Sequence, residues 1–104
     1  MSNFEYLKWH VKEFHGEFAP ILLYEVDLDN NRYATRMVEI YENRQIKRIV
    51  EEGFKYVSEG SIPIIQEINL DYPEHYAELI TREQFDVIYK SEYYNGKIEF
   101  PDLW

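Results

Sequence analysis

The strongest constraint on this chain lies in its first fifty residues, where four short alternating stretches follow one another with only turn residues between them. Residues 4–12 read FEYLKWHVK, with Leu7, Trp9 and Val11 on one side and Tyr6, Lys8 and His10 on the other. A period of two is that of a pleated strand. His15-Gly16-Glu17 supplies a turn, and Pro20 opens a second strand over residues 21–27, where its missing N–H costs no ladder bond. Asp29-Asn30-Asn31 is a hairpin-type turn, because Asn and Asp tolerate positive φ. Residues 32–42 (RYATRMVEIYE) form the longest strand, with Met37, Val38, Ile40 and Tyr41 apolar. Asn43-Arg44 turns the chain again into residues 45–50, and a short fifth strand over residues 54–57 follows Glu51-Glu52-Gly53. Short connections between successive strands imply an antiparallel meander.

The second half carries helix signals. Ile62-Pro63 stops the sheet and leads into a short helix over residues 64–70, with Ile64, Ile65 and Ile68 on one face. Tyr72-Pro73 ends it. Thr81-Arg82-Glu83-Gln84 spells a capping box, with Ile80 and Phe85 placed as a hydrophobic staple. Phe85, Ile88 and Tyr89 continue as an apolar stripe, so the spacing predicts a helix over residues 82–91. In the tail, Asn95-Gly96 has the composition of a type I′ turn. Phe100, Leu103 and Trp104 are apolar enough to predict that residues 92–104 dock. The expectation is therefore one α+β domain: residues 1–58 mainly strands, residues 61–91 mainly helices, then a docked tail. Its sheet is an antiparallel meander of four or five strands, followed by two helices packed on one face.

Charge and missing chemistry narrow the function. Twenty acids face 11 bases, a net charge of −9. Residues 1–52 hold ten acids and seven bases (net −3), and residues 53–104 hold ten acids and four bases (net −6). Such a field opposes nucleic acid and anionic membrane and speeds encounter with basic partners. There is no cysteine, which removes disulfides and thiolate metal sites. No apolar run approaches the ~20 residues of a membrane-spanning helix, and no secretory signal is evident, so the expected location is the cytoplasm.

His10, His15 and His75 lack the spacing of a paired zinc site. Ser58 and Ser61 flank Gly60 in a loop and read as turn residues rather than nucleophiles. The pairs Glu51-Glu52 and Glu25/Asp27 are of a kind expected by chance among twenty acids. The oxygens of residues 27–31 lack the central glycine and twelfth-position Glu of a calcium loop. Arg44, Lys47 and Arg48 are the only basic concentration. No catalytic residue, metal or cofactor is expected from these patterns.

The aromatic content is more informative. Ten tyrosines and two tryptophans add rigid area with a polar end, as interface residues do. Asp71, Tyr72, Glu74, Tyr76, Glu78, Tyr93, Tyr94 and Trp104 compose an acidic, aromatic set suited to a basic protein.

Several stretches together resemble an uncharacterised family of small bacterial domains of unknown function. They are Tyr6-Leu7-Lys8 with Trp9; Pro20-Ile21-Leu22-Leu23-Tyr24-Glu25; Arg36-Met37-Val38-Glu39-Ile40-Tyr41; Ile62-Pro63 with Glu67-Ile68-Asn69; and Ile80-Thr81-Arg82-Glu83-Gln84-Phe85 with Ile88-Tyr89. The chain departs from the family's habit at Ile64, where a small capping residue is usual, at Ser61, where proline is, and at Tyr89, where Trp is frequent. The resemblance brings no catalytic residues with it. By analogy it suggests a compact acidic immunity protein that neutralises a basic toxin domain, such as a nuclease. The alternatives are a small-ligand or enzymatic domain using a cleft between sheet and helix, and a housekeeping interaction domain or homodimer.

Overall fold

The computed structural model describes residues 3–12, 19–49, 53, 55–58, 60–71 and 74–96. Four strands form the meander: β1 (Phe4–Val11), β2 (Ile21–Asp27), β3 (Tyr33–Ile40) and β4 (Ile46–Ile49). Then come helix α1 (Ile65–Asp71), strand β5 (His75–Ile80) and helix α2 (Arg82–Lys90). All pairings are antiparallel, in the order β4-β3-β2-β1-β5. This is the expected α+β fold with its five-stranded antiparallel sheet and two helices.

Three details differ from the sequence reading. The fifth strand is His75–Ile80, inserted between the helices and paired with β1. Lys55, Tyr56, Val57 and Ser58 are not strand; Gly53 at φ 86° turns the chain there. Val57 still donates its N–H to the Ala34 carbonyl at 2.8 Å, and the Ser58 hydroxyl accepts from the Ala34 N–H at 2.9 Å. Second, the helices divide the faces between them. Phe85 of α2 joins Tyr6, Ile21, Leu23, Val38, Ile40 and Tyr94, while Ile65 of α1 packs with Leu7, Tyr24, Val26, Ala34 and Ile62 on the other face. Third, neither Asn95 nor Gly96 has the positive φ of a type I′ turn. The expected docking of Leu103 and Trp104 lies outside the described residues.

A bulge sets what each face receives. Glu25 pairs with Arg36 and Val26 with Ala34, so Thr35 is an extra residue on β3. The step lets Ala34 and Arg36 serve opposite faces. Arg36 thereby meets the carboxylate of Glu25 and the rings of α2.

The turns are built on arginines. Asn31 (φ 58°) and Arg32 (φ 59°) are both left-handed, and the Tyr33 N–H bonds the Asn30 carbonyl at 3.2 Å, which is the geometry of a type I′ turn. Arg44 (φ 73°) closes the β3–β4 hairpin, with the Arg44 N–H on the Tyr41 carbonyl at 2.8 Å and the Tyr41 N–H on the Gln45 carbonyl at 3.0 Å. A left-handed arginine costs about 1 kcal/mol relative to glycine. Each offsets that cost by gripping a distant segment. The Arg32 carbonyl accepts the Ile62 N–H, and its guanidinium donates to the carbonyls of Ile62 and Pro63. The Arg44 carbonyl accepts the Tyr94 N–H, and its guanidinium donates to the carbonyls of Tyr94 and Gly96.

Helix α2 starts as its sequence dictates. The Thr81 hydroxyl accepts from the Gln84 N–H at 3.1 Å, and the Gln84 side chain accepts from the Thr81 N–H at 2.8 Å. Its last carbonyls are held by Arg48, which donates to Tyr89 and Ser91. Replacing Thr81 with Ala is expected to lower unfolding free energy by about 1 kcal/mol in urea titrations. Phe85→Ala, at a fully buried site, is expected to cost about 3–5 kcal/mol. An unchanged midpoint in either variant contradicts the corresponding assignment.

Candidate functional site

Helix α2 does not cover β5 completely. Between them lies a groove of about 440 Å³ lined by Lys8, Glu78, Ile80, Glu83, Gln84, Val87, Ile88 and Tyr94. Strand parity builds its sheet wall. Lys8 stands opposite Glu78 and Tyr6 opposite Ile80, so these four share the α2 face. The i, i+4 spacing of α2 brings Glu83 and Val87 along the opposite wall. The floor is apolar and two carboxylates stand on the walls.

Tyr94 closes one side of the groove. Its hydroxyl accepts a hydrogen bond from the Lys8 ammonium at 2.8 Å. The ammonium is 5.4 Å from the ring centre, which with the shorter bond to the hydroxyl puts it beyond that oxygen. The contact is thus a hydrogen bond in the ring plane, not a cation over the ring face. Gly96 lies so close to the Tyr94 hydroxyl that any Cβ would collide with it. A side chain at position 96 would need the end of the Tyr94 ring to shift.

Beneath α2 runs a polar network. Glu25, buried, accepts from the Tyr6 hydroxyl at 2.8 Å, the Thr35 hydroxyl at 2.7 Å, and Arg36 at 3.0 and 2.6 Å. Arg36 also reaches Asp86 at 3.0 Å, and its guanidinium lies 4.8 Å from the ring centres of both Phe85 and Tyr89. Burial acts to raise the Glu25 pKa, but the bonds from Arg36, Thr35 and Tyr6 outweigh it and hold the carboxyl below its ordinary value. Arg36 is held charged, chiefly by its bond to Glu25. A carboxylate this saturated has no free lone pair aimed at a substrate. Its work is to fasten α2 to the sheet.

The remaining candidates are occupied structurally. The Ser58 hydroxyl donates to the Gly60 carbonyl and the Ser61 hydroxyl to the Asn31 carbonyl. The Asp27 carboxylate accepts from two groups of the turn that follows it, the Asp29 N–H and the Asn30 side chain. His75 accepts from the Trp9 indole at 2.7 Å. His15 and the pair Glu51-Glu52 lie outside the described residues. His10 is buried against the Tyr76 ring, 5.9 Å between centres, and its Nδ1 has no hydrogen-bond partner among the described residues. Burial, and then the charge of Lys8, lower its pKa to about 4. Among the described residues no three His, Cys, Asp or Glu side chains are grouped to hold a metal ion. No described helix is long and apolar enough to cross a membrane.

Of the residues expected to form a binding surface, Glu78 and Tyr94 meet in the groove. Tyr76 shares their face of β5, beside His10. Glu74 is exposed at the start of β5, where its carbonyl accepts the Lys12 N–H at 2.8 Å. Tyr93 is exposed at a second hollow of about 170 Å³, and its backbone bridges Gln45 on the far edge of the sheet. The Asp71 side chain, Tyr72 and Trp104 lie outside the described residues. Sequence reasoning missed Lys8, Ile80, Glu83, Gln84, Val87 and Ile88 as groove residues. Val87 carried a signal: it is apolar yet falls off the stripe of Phe85, Ile88 and Tyr89, and it is 66% exposed.

Residues 5–94 match the family described as Domain of unknown function (DUF6881). The chain belongs to that family. No curated protein and no solved structure matches it. The family match ends at Tyr94, whose N–H is bonded to Arg44, so it spans the groove and both helices and takes in nearly all of the sheet.

Acid should destabilise the fold in two steps. The His10 pKa is lowered on folding, so its contribution is present above about 6.5 and is lost as pH falls toward about 4. The Glu25 pKa is also lowered, so its contribution is present above its ordinary value of 4.5 and is lost below that. Thermal midpoints are expected to fall across both windows, and His10→Phe to flatten only the upper one. An unchanged slope between pH 6.5 and 4 in that variant would show that His10 is not the group responsible.

Proposed function

We propose that this chain is a protein-binding inhibitor of the immunity type, which takes up a basic toxin domain, such as a nuclease, in the cytoplasm. The single observation that carries this reading is the groove between β5 and α2. In it the apolar residues Ile80, Val87, Ile88 and Tyr94 stand with the carboxylates of Glu78 and Glu83, and its one cation, Lys8, is engaged by the Tyr94 hydroxyl, on a chain of net charge −9. Apolar area flanked by carboxylates suits Lys and Arg side chains, whose stems bury while their charged ends stay at the rim. A nuclease domain is commonly basic because it holds phosphates, so an acidic inhibitor gains association rate and selectivity from charge. The saturation of Glu25 by Tyr6, Thr35 and Arg36 favours binding over bond chemistry.

The groove's volume also falls within the roughly 300–1,000 Å³ of small-molecule sites. That keeps a small-ligand cleft as the second reading.

The test is co-expression with the product of the neighbouring gene, which on this reading is a basic toxin domain. Protection of growth is expected, and Glu78→Lys with Glu83→Lys is expected to remove it while the protein stays folded with a slightly lower thermal midpoint, since Lys8 stands opposite position 78 and position 83 lies in the first turn of α2. Association measured in vitro should slow by about tenfold or more as salt rises through the range where screening length drops below ~10 Å, with dissociation changing less. Protection that survives the double charge reversal, or association indifferent to salt, would overturn the reading.

A further inference from the structure

The outer edge of β5 is less open than an edge strand usually is. Lys12 donates to the Glu74 carbonyl from β1, which fixes the even-numbered residues of β5 as those bonding β1. The register runs unbroken from Val11↔His75 to Tyr6↔Ile80. Odd-numbered residues therefore turn their N–H and C=O away from the sheet. At Ala77 both groups are taken by one side chain: the Asn69 carboxamide accepts from the Ala77 N–H at 2.8 Å and donates to its carbonyl at 3.1 Å. At position 81 the N–H is taken by Gln84. Between them stands Leu79, whose outward pair no side chain among the described residues occupies. Its side chain is 55% exposed, although its partner across the strand, Leu7, is fully buried.

We infer that the β5 edge at Leu79 accepts an extended segment of the partner, in which cationic and apolar residues alternate. The inference rests on the proposed binding of a basic protein at this groove. A strand added here would lie about 4.8 Å from β5 and send alternate side chains to opposite faces. One set would stand on the groove face, beside Glu78 and toward Glu83, with Lys8 one strand further in. The other set would stand beside exposed Leu79. The first position calls for Lys or Arg and the second for an apolar residue. Asn69 holds the place of a neighbouring strand at Ala77, and a longer segment takes over its two bonds.

The probe is a synthetic heptapeptide of alternating lysine and valine, with a peptide of the same composition in two blocks as control. Amide exchange and NMR shifts of the labelled protein provide the readout. The alternating peptide is expected to protect the Leu79 amide and to bind more tightly than the block peptide. N-methylation of its bonding edge should weaken binding about tenfold or more, because each addition removes a backbone donor. Asn69→Ala, at an exposed position, should bind the alternating peptide several-fold more tightly, since no carboxamide need be displaced. If Glu78→Lys with Glu83→Lys weakens binding but N-methylation and Asn69→Ala do nothing, strand addition is overturned and the basic-partner reading stands. If the charge reversals have no effect either, that reading falls as well. Leu79 protection that grows with protein concentration in the absence of peptide would assign the edge to a second copy and overturn the inference.

Discussion

Arg36 is the joint on which the molecule turns. Its guanidinium connects Glu25 of β2 to Asp86 of α2 and lies against the rings of Phe85 and Tyr89. A pair between groups only partly withdrawn from water contributes little by charge alone. Here the value lies in geometry. Two parallel bonds to one carboxylate fix the guanidinium plane, and the rings of α2 then have one surface on which to settle. The bulge at Thr35 makes this possible by aiming Arg36 at the α2 face. The axis of α2 follows, and with it the gap above β5 that forms the groove. The groove at one edge thus depends on an irregularity three strands away.

Both edges of the sheet show the management that free strands require. On the β4 side the chain after α2 returns: Gln45 bridges Tyr93, the Ile46 N–H meets the Glu92 carbonyl, and the Arg44 carbonyl takes the Tyr94 N–H. On the β5 side a single carboxamide stands in for a strand. Backbone covering one edge and a side chain covering the other differ in how readily they exchange. The groove lies at the edge with the lighter covering.

Much of the fold was legible because its determinants are local. Alternation in β1 and the Asn-rich turn pointed to the meander, and Thr81 with Gln84 fixed the start of α2. β5 escaped because its alternation is blurred. Leu79 is apolar but exposed, Tyr76 and Glu78 share the face of Ile80, and the strand's partner, β1, lies at the opposite end of the chain. The basic group Arg44, Lys47 and Arg48, the one concentration of cations in the sequence, is largely spent on structure, since two of the three hold backbone carbonyls. The groove was only half readable. Glu78 and Tyr94 were named from composition, but Lys8, Glu83 and Val87 join them only through strand register and helix placement. The Glu25 network was equally hidden, since a bulge cannot be read from residues that alternate normally on either side of it.

The two left-handed arginines have a consequence for how the chain is assembled. Hairpin turns form early because their contacts are close in sequence. Arg32 and Arg44, however, carry backbone strain that is offset only when residues 62–63 and 94–96 arrive. The meander is therefore a receptor for the rest of its own chain, with two latches set before the segments they catch have been made. Cut away from those segments, it would keep the strain and lose what the strain is for. The first fifty residues contain four of the five strands, yet two of their turns take part of their support from segments that follow them.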